Sequence, residues 1–152
     1  MMLNARPAVI LLVEDDPGDQ ELTIRALKEG KIRNRLFIVQ DGEEAIEYLF
    51  RRGRYAAPEA SPRPDLILLD LNMPKLDGRQ VLFELQNHPD FSRMVVVVLT
   101  TSKQEEDILK SYDLGVKSFV TKPLDFESFL DVVRGLKEYW FQVVVLPPRK
   151  EG

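Results

Sequence analysis

Four short runs of apolar residues, each followed at once by a polar side chain, constrain the fold of this chain more than any other feature. The runs occupy residues 8–13, 66–69, 95–99 and 118–121. Each run is rich in β-branched residues and bounded by turn or helix-start residues, which predicts a buried β-strand. Because parallel strands bury both of their faces, such runs need not alternate apolar with polar residues.

The segments between these runs have the periodicity of amphipathic helices. Asp16 followed by Pro17 predicts a helix start, with a carboxylate cap and proline at the first helical position. The last helix carries Phe126 and Phe129 on one apolar stripe. With a further strand at residues 36–39, a strand and a helix alternate five times. This (βα)5 pattern predicts an α/β fold, with a doubly wound parallel five-stranded sheet, right-handed crossovers and a crevice at the switch point.

Two connections are predicted from glycine and proline. Gly30 supplies the stop of the first helix. The stretch 53–64 contains three prolines, Pro58, Pro62 and Pro64, and we expect it to form an exposed loop that is longer than most connections of this type.

The polar residues at the strand ends are expected to share one crevice. Glu14 and Asp15 follow the first strand, Asp70 ends the third, Thr100 follows the fourth and Lys122 follows the fifth. The carboxyl ends of neighbouring parallel strands converge at one edge of a sheet. Three carboxylates, a hydroxyl and an ammonium group are unfavourable together unless the negative charge is neutralised. A divalent metal and a transferred phosphoryl group would do this, so the arrangement suggests a phosphoryl switch.

Composition excludes several classes of function. The net charge of −4 and pI near 5.1 argue against a nucleic-acid partner, because phosphate binding needs clustered cations. The basic group Arg51, Arg52 and Arg54 is interpreted as a solvated helix end. The absence of cysteine excludes thiol chemistry, and His88, before Pro89, is expected at the surface. No run is long enough for a membrane span and no signal peptide precedes residue 8, so we expect a cytoplasmic protein without a membrane partner.

The segments around the predicted crevice resemble the receiver domains of two-component response regulators. They are Leu-Val-Glu-Asp-Asp at residues 12–16, Leu-Asp-Leu-Asn-Met-Pro at 69–74, Asp-Gly at 77–78, Leu-Thr at 99–100 and Lys-Pro at 122–123. The likeness extends from about residue 9 to residue 137. It implies a receiver domain over residues 1–138, the flavodoxin- and CheY-like strand order 2-1-3-4-5, and a cis peptide bond between Lys122 and Pro123.

The resemblance also implies the chemistry of the crevice. Asp70 is the expected phosphoacceptor, which attacks a phosphorus atom held by a histidine kinase or a small phosphodonor and becomes an acyl phosphate. Asp15 and Asp70 are expected to bind Mg²⁺ directly. The backbone carbonyl of Asn72 is the third protein ligand, and Glu14 holds a metal-bound water.

A conformational switch is implied by the same resemblance. Lys122 and Thr100 are expected to bind phosphoryl oxygens, and Phe119 enters the space that Thr100 vacates. The face formed by the fourth helix, fifth strand and fifth helix is thereby reshaped. Asn72 and Ser102 stand at the positions that tune self-dephosphorylation. Thr101 is bulkier than the alanine or glycine often found just after the switch threonine.

Several of these residues also have a purely structural explanation. Glu14 and Asp15 could cap the first helix, although Asp16 explains that cap better. Asp70, Thr100 and Lys122 could be ordinary residues at the ends of strands or in turns, and Phe119 could be a plain core residue. A rival function is a small phosphatase with an aspartyl nucleophile. Such enzymes carry Asp-x-Asp, whereas Asn72 cannot act as the acid and base. An electron-transfer flavoprotein is disfavoured by the acidic crevice.

The C-terminal residues 139–152 form an apolar tail too short for an output domain. We therefore expect a stand-alone regulator. The tail, with Trp140 and Phe141 followed by the apolar run 143–146, and the long loop resemble small response regulators paired with phytochrome-type histidine kinases. The expected partner is such a kinase, with a bacteriophytochrome as one candidate. A homodimer through the fourth-helix, fifth-strand and fifth-helix face and the tail is also expected, because a free tail would expose a large apolar patch.

Overall fold

The fold is a five-stranded parallel sheet with helices on both faces. The computed structural model describes residues 6–72, 78–91, 94–111 and 115–142. Its strands are β1 (Ala8–Val13), β2 (Asn34–Val39), β3 (Leu66–Asp70), β4 (Val95–Thr100) and β5 (Val116–Thr121). Its α-helices are α1 (Pro17–Glu29), α2 (Gly42–Leu49), α3 (Gly78–Gln86), α4 (Lys103–Ser111) and α5 (Phe126–Gln142). The strand order is β2-β1-β3-β4-β5. The predicted fold class and strand order are both confirmed.

The register of the sheet aligns the carboxyl ends of its strands. Val13 at the end of β1 pairs with Val39 on one side and with Leu69 on the other. In the other half of the sheet, Asp70 pairs with Leu99, and the last residues of β4 and β5 also pair. Residues that follow the strands therefore emerge along one edge.

Alternate residues of the central strands enter two separate cores. Leu11 and Val13 of β1 pack on the face covered by α2 and α3, and Ile10 and Leu12 pack on the face covered by α1 and α5. All six residues of β1 are buried. This explains why the strands appear in the sequence as continuous apolar runs.

Gly30 lies at the end of α1, as predicted, but its role differs from that of a left-handed stop. Its φ of −73° is right-handed, and the positive φ of 59° belongs to Lys31. A Cβ atom on Gly30 would lie 2.5 Å from Val133 Cγ1 of α5. The glycine is therefore needed for the close approach of α1 and α5.

The predicted exposed loop at 53–64 is exposed in its first half only. It contains two short 3₁₀ turns, Gly53–Tyr55 and Pro58–Ala60, and then becomes buried from Ser61 to Pro62. The buried Tyr48 hydroxyl donates a hydrogen bond of 2.7 Å to the Pro62 carbonyl. The prediction of an exposed loop was wrong for this half, because the bond from Tyr48 and a bond of 2.9 Å from the Ser61 hydroxyl to the Tyr55 carbonyl hold it against the domain.

Several local predictions can be compared with the structure. The Lys122-Pro123 peptide bond is cis, as expected. His88 is partly buried, with its ring against Phe50 and Phe91, and not simply on the surface. Within the described ranges, no helix has the length and apolar character required to cross a membrane. The predicted turn at residues 73–77, the predicted last turn of α4 at 112–114 and the tail beyond residue 142 lie outside the described residues.

Candidate functional site

The candidate site lies where the strands end. Glu14 follows β1 directly, Asp70 and Thr100 are the last residues of β3 and β4, and Lys122 follows β5. Backbone hydrogen bonds continue the sheet ladder past these ends, including one of 2.8 Å from the Lys122 N–H to the Thr100 carbonyl. The sheet itself therefore fixes the positions from which these side chains extend.

Three carboxylates form a compact acidic cluster at this edge. One oxygen each from Glu14, Asp15 and Asp70 lies within 4.8 Å of the others. Glu14 is 0% exposed and Asp70 is 1% exposed, whereas Asp15 is exposed. Oxygen donors of this kind, open to solvent on one side, suit a hard divalent cation that keeps part of its water shell. The cluster therefore fits a divalent metal ion.

Lys122 is the cation that balances this cluster. Its Nζ lies 2.8 Å from Glu14 Oε1, 2.9 Å from Asp19 Oδ2 and 3.0 Å from Asp70 Oδ2. Burial alone would lower the pKa of Lys122, but its bonds with these carboxylates outweigh burial and raise the pKa above its ordinary value. The sequence analysis did not predict Asp19 as a site residue. Its position in the first turn of α1, beside the crevice, could have indicated this contact.

Glu14 is the least well satisfied of the carboxylates. Burial raises its pKa to about 7, against the opposing effects of Lys122 and of the Asp16 N–H. Oε2 accepts that N–H at 3.1 Å. Oε1 makes the close ion pair with Lys122, but the pair lacks hydrogen-bond alignment, so this buried oxygen has no hydrogen bond among the described residues. Additional positive charge would favour the ionised form.

Capping does not explain the cluster. Asp16 is the N-cap of α1, with its Oδ2 accepting the Asp19 N–H at 2.8 Å, and this agrees with the sequence prediction. Glu14 and Asp15 are therefore not needed as the helix cap. Asp70 is likewise not a free turn acid, because Oδ1 accepts the Asn72 N–H at 2.9 Å and Oδ2 accepts from Lys122.

Asn72 links two loops at the edge of the site. Its side-chain amide donates to Thr101 Oγ1 at 3.1 Å, which joins the residues after β3 to those after β4. Both side chains border the crevice on its solvent side, and Asn72 and Thr101 are exposed.

Thr100 is buried, with 2% exposure, and its hydroxyl is engaged on the α4 side of the site. The hydroxyl donates to Glu105 Oε1 at 3.1 Å and accepts the Ser102 N–H at 3.1 Å. The other Glu105 oxygen forms an ion pair with Arg79 of α3. The sequence analysis did not predict that Glu105 and Arg79 contact the site. The spacing Ser-x-x-Glu from 102 to 105 is a capping-box pattern that could have identified Glu105.

Phe119 of β5 is partly buried and packs against the core on the α2–α3 side of the sheet. The ammonium group of Lys110 in α4 lies 5.5 Å from the centre of its ring. The side chain therefore occupies the space between β5 and α4. Packing of this kind is expected of both a core residue and a switch residue.

Comparison with known proteins identifies the class to which this fold and site belong. The family model for the response regulator receiver domain matches residues 10–134. The chain belongs to the response regulator receiver domain family. This confirms the resemblance drawn from the sequence motifs, and it gives no support to the rival phosphatase.

Particular relatives can be named within this family. The chain is 46% identical to response regulator Rcp1 of Synechocystis sp. over 141 residues, which cover 93% of this chain and 94% of that protein. The crystal structure of the phosphorylated cyanobacterial phytochrome response regulator RcpA is 43% identical, with a TM-score of 0.77 over 94% of this chain and all of that one. The Mn²⁺-bound form of Rcp1 has a TM-score of 0.76 at 46% identity, over 93% of this chain and all of that one.

Proposed function

We propose that the protein is a phosphoryl-accepting response regulator whose acceptor is Asp70. The observation that carries this proposal is the contact of the buried Asp70 carboxylate with both Lys122 and the acidic cluster. An Asp70 oxygen attacks phosphorus, and the bond from phosphorus to the donor's imidazole nitrogen or acetyl oxygen breaks as the acyl phosphate forms. Lys122 offsets negative charge as the two anions approach.

The proposed metal is Mg²⁺, held directly by Asp15, Asp70 and the Asn72 backbone carbonyl, and through a water by Glu14. When bound, it neutralises charge on the phosphoryl oxygens. The oxygen-only donor set supports a hard cation, and the existence of a Mn²⁺-bound form of Rcp1 supports a divalent one.

The proposed output is a shift in a two-state element. The Thr100 hydroxyl turns to a phosphoryl oxygen, which Lys122 also contacts. Phe119 then occupies the vacated space, and the face of α4, β5 and α5 changes shape. The location of Phe119 between β5 and α4 fits this role as well as it fits that of a core residue.

The proposed partner is a histidine kinase of the phytochrome type. Similarity over nearly the full length of Rcp1 and to the phytochrome response regulator RcpA supports this link. We also propose a receiver domain over residues 1–138, followed by an apolar segment over residues 139–152. Cytoplasmic location is part of the same proposal, because such kinases use intracellular ATP.

A two-fold homodimer through the α4-β5-α5 face and the tail at 139–152 completes the proposal. A self-complementary surface suits closed two-fold symmetry. Sedimentation at micromolar concentration should show a dimer for the full chain and a monomer for a chain ending at Lys137. Monomers in both cases would contradict the dimer.

The decisive experiment for the site is labelling by acetyl phosphate and Mg²⁺. Asp70→Asn should abolish a hydroxylamine-sensitive label of one phosphate per chain. Asp16→Asn is the matched control, since asparagine keeps the helix cap and the side chain lies outside the acidic cluster, so labelling should persist. Full labelling of Asp70→Asn would refute the assignment.

The same assay separates a regulator from a phosphatase. We expect about one phosphate released per labelled chain, since Asn72 cannot supply an acid and base. Many turnovers per chain would favour the hydrolase. Substitutions at Asn72 and Ser102 should change the lifetime of the label without preventing its formation.

A further inference from the structure

The first turn of α4 contains a capping box that is only half formed. In a complete box, the N-cap hydroxyl accepts the N–H of the third helical residue, whose side chain accepts the N–H of the cap residue. Here Ser102 Oγ accepts the Glu105 N–H at 3.1 Å, which is the first of these bonds. The second bond is replaced, because the Ser102 N–H donates to Thr100 Oγ1 at 3.1 Å.

The Thr100 hydroxyl bridges the missing half of the box. It accepts from the Ser102 N–H and donates to Glu105 Oε1, also at 3.1 Å. The two groups that would bond each other in a complete box are therefore joined through one hydroxyl. The bridge is shielded from water, since Thr100 is 2% exposed and the Glu105 side chain is 19% exposed.

Arg79 of α3 holds the Glu105 carboxylate in this position. Its guanidinium pairs with Oε2 and leaves Oε1 directed to the Thr100 hydroxyl. A hydrogen bond to a carboxylate is stronger than one between neutral groups. The Thr100 hydroxyl is thus retained on the α4 side by a charged acceptor that is itself fixed by a neighbouring helix.

We propose that Glu105 is a positioning residue for the switch, and that the capping box of α4 has two alternative arrangements. This inference rests on the proposed function of the site. In the resting arrangement Thr100 bridges Ser102 and Glu105. When the hydroxyl turns to a phosphoryl oxygen, the Ser102 N–H and the Glu105 carboxylate bond directly and complete the box. The exchange leaves neither group unpaired, and it links phosphorylation to the first turn of α4 and, through Arg79, to α3.

The test is the NMR shift of the Ser102 amide proton in the full chain. Thr100→Val removes the hydroxyl and keeps the side-chain shape. Without any phosphodonor, the Ser102 amide should then move to lower field, because it donates to a carboxylate and not to a neutral hydroxyl. The double variant Thr100→Val with Glu105→Ala should lose this shift. The control is Thr100→Val combined with Glu106→Ala, which removes an equal charge from the same turn. This double variant should retain the shift of the Ser102 amide.

The second arm uses beryllofluoride with Mg²⁺ as the phosphoryl probe. In the wild type the Ser102 amide should move in the same direction as in Thr100→Val, and in Glu105→Ala it should not. A Ser102 amide that stays in place in Thr100→Val, or that moves equally without Glu105, overturns the inference. If beryllofluoride perturbs no amide near Asp70 in any variant, the proposed function is contradicted, whereas the Thr100→Val comparison still decides the capping box.

Discussion

Removal of the Lys122 charge should cost the protein a large part of its stability when no metal is present. In Lys122→Met the aliphatic stem is kept and the ammonium group is lost. Two of its three carboxylate partners, Glu14 and Asp70, are almost completely buried, whereas the Asp19 side chain is 23% exposed. The two buried carboxylates then face each other without a cation.

The expected loss can be estimated from these contacts. Removing one partner of a buried ion pair destabilises a protein by about 3–5 kcal/mol. Glu14 limits the loss by taking up a proton, since its pKa is already raised to about 7 by burial. We therefore expect the free energy of unfolding to fall by about 3 kcal/mol, the lower end of that range.

The assay is urea unfolding followed by far-UV circular dichroism at neutral pH in EDTA. The pKa of Lys122 is raised above the ordinary 10.5, so its contribution is complete below that pH and is lost only as the pH rises further. Lys103→Met is the matched control, because Lys103 is exposed and its ion pairs lie on the surface of α4; no change is expected. Equal stability of Lys122→Met and wild type would refute the view that Lys122 balances the cluster. Added Mg²⁺ should narrow the difference, since it supplies positive charge to the same carboxylates.

Three further predictions concern the scaffold of the site. Tyr48→Phe leaves the buried Pro62 carbonyl unpaired and should lower the free energy of unfolding by about 1–2 kcal/mol in the same assay. Gly78→Ala should reduce both stability and acetyl phosphate labelling, because the added Cβ would lie 2.5 Å from a backbone oxygen of β3. Gly135→Ala is the control, and it should leave stability unchanged or raise it, because there is open space around position 135. Burial and a bond to a glutamate raise the pKa of Tyr55 from 10.0 to about 12. As the pH rises between those values, wild type should lose about 2–3 kcal/mol of unfolding free energy relative to Tyr55→Phe in alkaline urea titrations.

The fold, and the convergence of the candidate site residues at one edge of the sheet, could be predicted because their signals are local. The strands β1, β3 and β4 are short and almost wholly apolar. Four of the proposed site residues directly follow or end a strand, namely Glu14, Asp70, Thr100 and Lys122. The partners of these residues could not be predicted in the same way. Asp19 and Glu105 are helix residues of ordinary surface type, and they join the site only because Lys122 and Thr100 reach across to them.

Packing between distant segments could not be predicted from the sequence either. The need for glycine at position 30 comes from Val133, which is about a hundred residues away in the chain. Ser61 and Pro62 are held by hydrogen bonds to the backbone carbonyl of Tyr55 and from the hydroxyl of Tyr48. Such contacts are set by how the elements pack, and no local pattern specifies them.

The distribution of the site over four strands has a consequence for protein synthesis. The acidic residues after β1 and β3 leave the ribosome well before Lys122, which follows the last strand. Domains form cooperatively, and β5 can pair only with a completed β4. A nascent or truncated chain therefore carries the Asp70 carboxylate without its balancing cation. Only a fully translated and folded chain has the complete set of charges, so we expect the assembled site to appear only after β5 has joined the sheet.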